Sequence, residues 1–164
     1  MKIVSLLSIG LFCFAISGYV SSAETSNVTS TTTTTAKTSA EQELIDLFFA
    51  AAKTGQQEVI TEFLKHGFPV DVQNTEGYTA LMMATYYGHQ PVVSSLLAAG
   101  ANRCLRDKRG HTALMGAIVK AEWSIARQLN KQDCDTQTQG TLTTEQFAQY
   151  FGQLDKFKQL SQAQ

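Results

Sequence analysis

The chain offers few side chains that could do chemistry, and their spacing limits what that chemistry would be. Its three histidines are His66, His89 and His111. A metal site needs several such ligands at short intervals. No two of these histidines stand four residues apart, and no Cys-x-x-Cys accompanies them. Glu58 and Glu62 share one face of a predicted helix, where a solvated surface explains them better than acid–base work. There is no Gly-x-Ser-x-Gly elbow and no phosphate-binding glycine loop. These residues point to neither an enzyme nor a bound metal or cofactor.

The elements that would position any site begin beyond an unusual N-terminus. Met1-Lys2 precedes an apolar run from Ile3 to Ile16, too short for a membrane-spanning helix. It reads as a secretory signal peptide over residues 1–23. Ser21 and Ala23 supply small residues at −3 and −1, so cleavage is expected after Ala23. The mature chain would start at Glu24, with no stable membrane insertion, and be periplasmic or secreted. Residues 24–38, with threonine at every position from 31 to 35, have little apolar surface to offset the entropy of ordering. They are expected to be a disordered tether ahead of a domain over residues 39–164.

Composition fits one ordinary globular domain, with 43% hydrophobic and 16% charged residues among 164. Thirteen basic against 14 acidic residues, scattered along the chain, leave no electrostatic footprint for nucleic acid. Export would remove Cys13 and place Cys104 and Cys134 where disulfides form. Two readings stay open for that pair, which is 30 residues apart: a bridge, or two small buried hydrophobes. Identical positions in stacked repeats lie about 10 Å apart, whereas a bridge needs Cα atoms within about 7 Å.

The strongest signal is a period of 33. At that shift Gly77 falls on Gly110, Thr79 on Thr112, Leu81 on Leu114, Met82 on Met115, Ala84 on Ala117 and Leu96 on Leu129. The preceding unit follows suit, with Ala51 on Ala84, Gly55 on Gly88 and Gly67 on Gly100. Thr79 and Thr112 suit helix N-caps, Gly88 a positive-φ helix end, and Pro91 a first helical turn. Ser39-Ala40-Glu41-Gln42 reads as a capping box that starts a helix through Leu44, Ile45, Leu47 and Phe48. The last unit needs a period of 31. It places Thr143 to Gln146 at the cap, and Phe147, Phe151, Leu154, Phe157 and Leu160 in an apolar stripe.

These motifs resemble the ankyrin repeat. Gly77 to Met82 is similar to G-x-T-P-L-H, with Ala80 and Met82 replacing Pro and His. Ala84 to His89 is similar to A-A-x-x-G-H, and Leu96 to Asn102 to L-L-x-x-G-A-D. The third unit carries Ala121-Glu122 where Gly-His is usual. The resemblance implies an all-α solenoid of about four helix-turn-helix units with short hairpin loops and degenerate terminal units. The units fall at about 41–74, 75–107, 108–140 and 141–164. It also implies a structural role for His89, a core position for Trp123, and packed Met82 and Met115 where the motif has histidine. Packed methionines are poor candidates for haem ligands.

The resemblance further implies a concave binding face built from the family's variable positions. These are Lys53 in the first unit; Thr75, Glu76, Tyr78, Tyr86 and Tyr87 in the second; and Lys108, Arg109, His111 and Lys120 in the third. Large amphipathic rings next to cations are the usual material of interface hot spots. The expectation is an exported adaptor, monomeric when free, that binds another protein through this face and uses no cofactor. Small signal-bearing ankyrin proteins of Gram-negative bacteria are similar and suggest two alternatives. One is a periplasmic accessory or haem-delivery factor for an enzyme such as catalase. The other is an immunity protein that blocks a secreted effector.

Overall fold

The computed structural model describes residues 28–135 and 142–162, with side chains from residue 39 onward. The apolar N-terminal run, the cleavage position after Ala23 and the junction near residues 140–141 lie outside the described residues. Among the described residues there are eight helices and no strand. They are α1 (Val28–Thr54), α2 (Gln57–Lys65), α3 (Ala80–Tyr86), α4 (Gln90–Ala98), α5 (Ala113–Val119), α6 (Trp123–Leu129), α7 (Thr144–Tyr150) and α8 (Leu154–Gln162). Consecutive helices pair. The odd-numbered helices stack in one row, and the even-numbered ones stack behind them.

Local chemistry sets each repeat. The Thr79 hydroxyl accepts from the Met82 N–H at 3.2 Å, and the Thr112 hydroxyl from the Met115 N–H at 3.4 Å, so both threonines cap as expected. Ala51, Ala84, Ala117 and Ala148 occupy one register position in the four units, and all are buried. Their small side chains let neighbouring helices approach. Around them Ile60, Leu81, Leu96, Met115, Ile118, Ile125 and Leu129 are enclosed. Each such burial stabilises by about 1.5–3 kcal/mol.

The turn that closes α3 has Gly88 at φ +75°, whereas the equivalent turn after α5 places Ala121 at φ +56°. Both turns make the same backbone bonds: His89 N–H to the Ala84 carbonyl and Glu122 N–H to the Ala117 carbonyl, each at 2.9 Å. The third unit therefore keeps the turn without the glycine and carries the strain of a Cβ in the left-handed region.

Neighbouring units are tied differently at successive joints. Between the first and second units, Asp71 Oδ1 accepts from the Asn102 N–H at 2.9 Å. One period later Cys104 stands where Asp71 was, and it is bridged to Cys134 with a Cα–Cα distance of 5.0 Å. The bridge resolves the two readings of the cysteines. It is possible because the pair is offset by three residues from a full period, so the two cysteines do not occupy identical positions in successive units. Beside it Arg106 donates to the Cys134 carbonyl at 3.3 Å and lies 3.7 Å from Asp135. Asp135 in turn accepts from the Thr144 N–H and hydroxyl at 2.9 Å each, which anchors α7.

The terminal units depart from expectation. Helix α1 begins at Val28, so Ser39 and Gln42 lie within it and form no capping box; Gln42 instead donates to Asp46 one turn on. Residues 28–38, expected as a disordered tether, continue the helix. Once a packed segment has nucleated a helix, each further residue adds a hydrogen bond, and a threonine costs at most about 0.7 kcal/mol relative to alanine. Leu44 and Leu47 are half-exposed, because among the described residues no unit stacks in front of them. At the other end the Thr143–Gln146 capping box forms, with Gln146 Oε1 accepting the Thr143 N–H at 2.9 Å. Trp123 packs on the core but stays half-buried.

Candidate functional site

The hairpin before each inner helix is built by one side chain. Asn74 Oδ1 accepts from the N–H groups of Glu76 and Tyr78 at 3.0 and 2.9 Å. Asp107, 33 residues on, does the same for Arg109 and His111 at 2.9 and 2.8 Å. Gly77 and Gly110 complete the two turns at φ +81° and +84°. The hairpins then stack, with the Lys108 N–H donating to the Glu76 carbonyl at 3.0 Å. A Cβ on Gly77 would lie 3.0 Å from that same Lys108 nitrogen. Sequence reasoning missed Asn74 and Asp107; their coincidence at the 33-residue shift was the available signal.

The hairpins and the ends of the inner helices frame a groove of about 440 Å³ on the concave face. Its floor is Met82, Met83, Thr112, Ala113 and Gly116. Tyr78, Asp107, Arg109 and His111 form the hairpin wall, Tyr86, Tyr87 and Val119 the helix-end wall, and Phe147 and Phe151 close it from α7. A Cβ added at Gly116 would meet nothing within 4 Å, so this mid-helix glycine leaves the groove open beside the site of Met83 one unit earlier. Glycine inside a helix costs about 0.5–1 kcal/mol relative to alanine. Nothing in the packing requires it here. A lone glycine in a helical pattern was the sequence signal for it.

Tyr86 and Tyr87 are 46% and 44% exposed, and their rings meet edge to face at 5.4 Å. Each carries a cation: Lys120 Nζ stands 4.9 Å from the Tyr86 ring centre, and Lys53 Nζ 5.5 Å from that of Tyr87. Cation–π contacts at such exposed sites are worth about 0.5–1 kcal/mol and fix where the amines sit. The structure thus brings together seven of the ten expected concave-face residues around one groove: Tyr78, Tyr86, Tyr87, Arg109 and His111 line it, and Lys120 joins through Tyr86. Lys53 joins through Tyr87. Thr75, Glu76 and Lys108 stay outside it, exposed at the hairpin tips, where the Thr75 hydroxyl donates to Glu76 at 2.8 Å. Tyr78 is half-buried against the core rather than free at its tip.

Phe151 was expected in the apolar stripe of the last unit. It is instead 43% exposed and stacks on Phe147 at 4.7 Å in the groove wall, because the helix ends there and turns at Gly152. His111 lies 5.2 Å from the Phe147 ring, with Nδ1 3.3 Å from Asp107 Oδ2. Among the described residues lining the groove, no serine or cysteine stands beside this imidazole–carboxylate pair. The one hydroxyl on the floor, that of Thr112, is engaged as the α5 cap.

Other candidates take structural roles. His89 packs its ring on Gly55, where a Cβ would come within 2.6 Å of it, and its Nε2–H donates to the Lys53 carbonyl at 2.8 Å. His66 pairs with Glu62 at 2.8 Å on the opposite surface. Met82 and Met115 are buried. Among the described residues no group of three or more His, Cys, Asp or Glu side chains could hold a metal ion, and no helix is long and apolar enough to cross a membrane. A family model described as ankyrin repeats (3 copies) matches residues 47–161. A search of curated proteins finds no match.

Proposed function

The chain belongs to the ankyrin-repeat family, and from that premise we propose that it is an exported binding module that holds a partner protein in its concave groove and does no chemistry of its own. The family generally mediates protein–protein interaction and is typically non-catalytic. The observation that carries the reading is Gly116. A helix-weakening residue is kept at the floor of a groove whose walls expose Tyr86, Tyr87 and Phe151. Stability alone would favour alanine there and would favour those rings inside. Export draws support from the apolar run before Ala23 and from the Cys104–Cys134 bridge, since disulfides persist in oxidising compartments.

Recovery of the partner from the exported fraction, by pull-down and mass spectrometry, comes first. Calorimetry then compares variants. Tyr86→Ala and Phe151→Ala should each weaken binding by about 2 kcal/mol. Glu58→Ala, on the opposite surface, should leave it unchanged. Equal affinity for all four proteins would refute the groove. Recovery of the protein from a membrane pellet with Met1 intact would refute export.

A further inference from the structure

The charges around the groove narrow the chemistry of what it takes, and this step rests on the groove reading above. The chain as a whole carries −1, yet the groove rim is basic. Lys53 and Lys120 are held over the two tyrosine rings, and Arg109 lines the hairpin wall. None of the three pairs with a carboxylate of any described residue. The one acid lining the groove, Asp107, has a side chain 3% exposed, and its oxygens are taken by two backbone N–H groups and by His111. Three cations without anions therefore surround an apolar floor that has no open acid of its own. Such a surface attracts carboxylates, and the exposed rings beside it exclude water and strengthen the attraction.

Basic and aromatic residues together also suit single-stranded nucleic acid, but the geometry disfavours it. Base stacking needs open ring faces in sequence. Here Tyr86 and Tyr87 stand at 77° to each other, and each has a lysine amine over one face. The gap over Gly116, between Met83 and Phe151, suits an aliphatic or aromatic side chain instead.

We propose that the groove takes an acidic segment of the partner protein. An aromatic or aliphatic side chain seats over Gly116, and Asp or Glu side chains lie against Lys53, Lys120 and Arg109. The test is selection of a random dodecapeptide library, displayed on phage, against the full chain with its disulfide intact. Enriched peptides should carry an excess of Asp and Glu around an aromatic residue or leucine. Their affinity should fall about tenfold or more in the double variant Lys53→Glu, Lys120→Glu, and should fall with added salt, while the thermal midpoint holds. Neutral or basic enriched peptides would overturn the proposal, as would no enrichment at all or stronger competition from oligothymidylate than from acidic peptides. Gly116→Phe separates this step from the one beneath it. If non-acidic peptides are enriched and lose binding in Gly116→Phe, the groove stands and the acidic partner falls. If acidic peptides bind Gly116→Phe unchanged, both fall.

Discussion

The second and third units differ least where they hold the solenoid and most where they face the groove. Asn74 and Asp107 build the same hairpin, Thr79 and Thr112 cap the same helix, and Ala84 and Ala117 sit at the same close contact. At the groove the correspondence breaks. Tyr78 faces His111, Met83 faces Gly116, Tyr86 faces Val119 and Tyr87 faces Lys120 at equivalent positions. One unit contributes bulk and the next a gap. The lesson is that stacking fixes one set of positions in every unit and frees another, and the free set is where this chain becomes individual.

Breaking the shared set should cost most. Leu81→Ala should lower stability by about 2–5 kcal/mol, and Leu114→Ala by somewhat less within that range. Leu81 is 1% exposed and Leu114 7%, so the second site relaxes more easily. Denaturant melts with a larger loss at Leu114 would show that the two units do not share one register of packing.

The joint between units offers the next contrast, a disulfide against a hydrogen bond. Replacing both Cys104 and Cys134 with serine should cost about 3–4 kcal/mol on the chain-entropy model. Asp71→Ala, which removes only the bond to Asn102, should cost about 1 kcal/mol. Equal losses would mean that the bridge adds nothing beyond its neighbours, Arg106 and Asp135.

Smaller effects sharpen the comparison. Thr79→Ala and Thr112→Ala should each cost about 1 kcal/mol through a lost cap, read as matching shifts in the denaturation midpoint. At the paired turns the signs should oppose. Ala121→Gly should stabilise by about 0.5–1 kcal/mol by relieving a left-handed alanine. Gly88→Ala should destabilise by more than that, because its Cβ would lie 2.8 Å from the Glu122 carboxylate as well as in strained backbone. Two changes of the same sign would contradict the turn geometry.

The shared set was legible in the sequence because it is local and repeated. A threonine cap, a helix-ending glycine and a buried alanine each announce themselves within one turn, and the period of 33 gives each a second witness. The groove was half legible. Tyr86 and Tyr87 could be placed by register, since the end of an inner helix projects from the stack wherever the units lie. Gly116 and Phe151 could not, because their roles depend on what stands across from them in the next unit. The disulfide stayed one of two open readings for a related reason: whole-period spacing keeps equivalent positions too far apart, and only the three-residue offset of Cys104 and Cys134 allows their Cα distance of 5.0 Å. The long start of α1 was hidden by composition, since threonine content says little about a helix already nucleated by its packed half.

If the gap at Gly116 serves a partner, filling it must weaken binding. Calorimetric titration of that partner into Gly116→Phe tests it most directly, with Glu62→Ala on the opposite surface as the reference. A Cβ at residue 116 meets no neighbour, so the variant should fold with a thermal midpoint close to that of the parent. Filling the groove should then weaken binding by about 2 kcal/mol or more while Glu62→Ala binds as the parent does. A Gly116→Phe protein that is folded and binds as tightly as the parent would contradict the account.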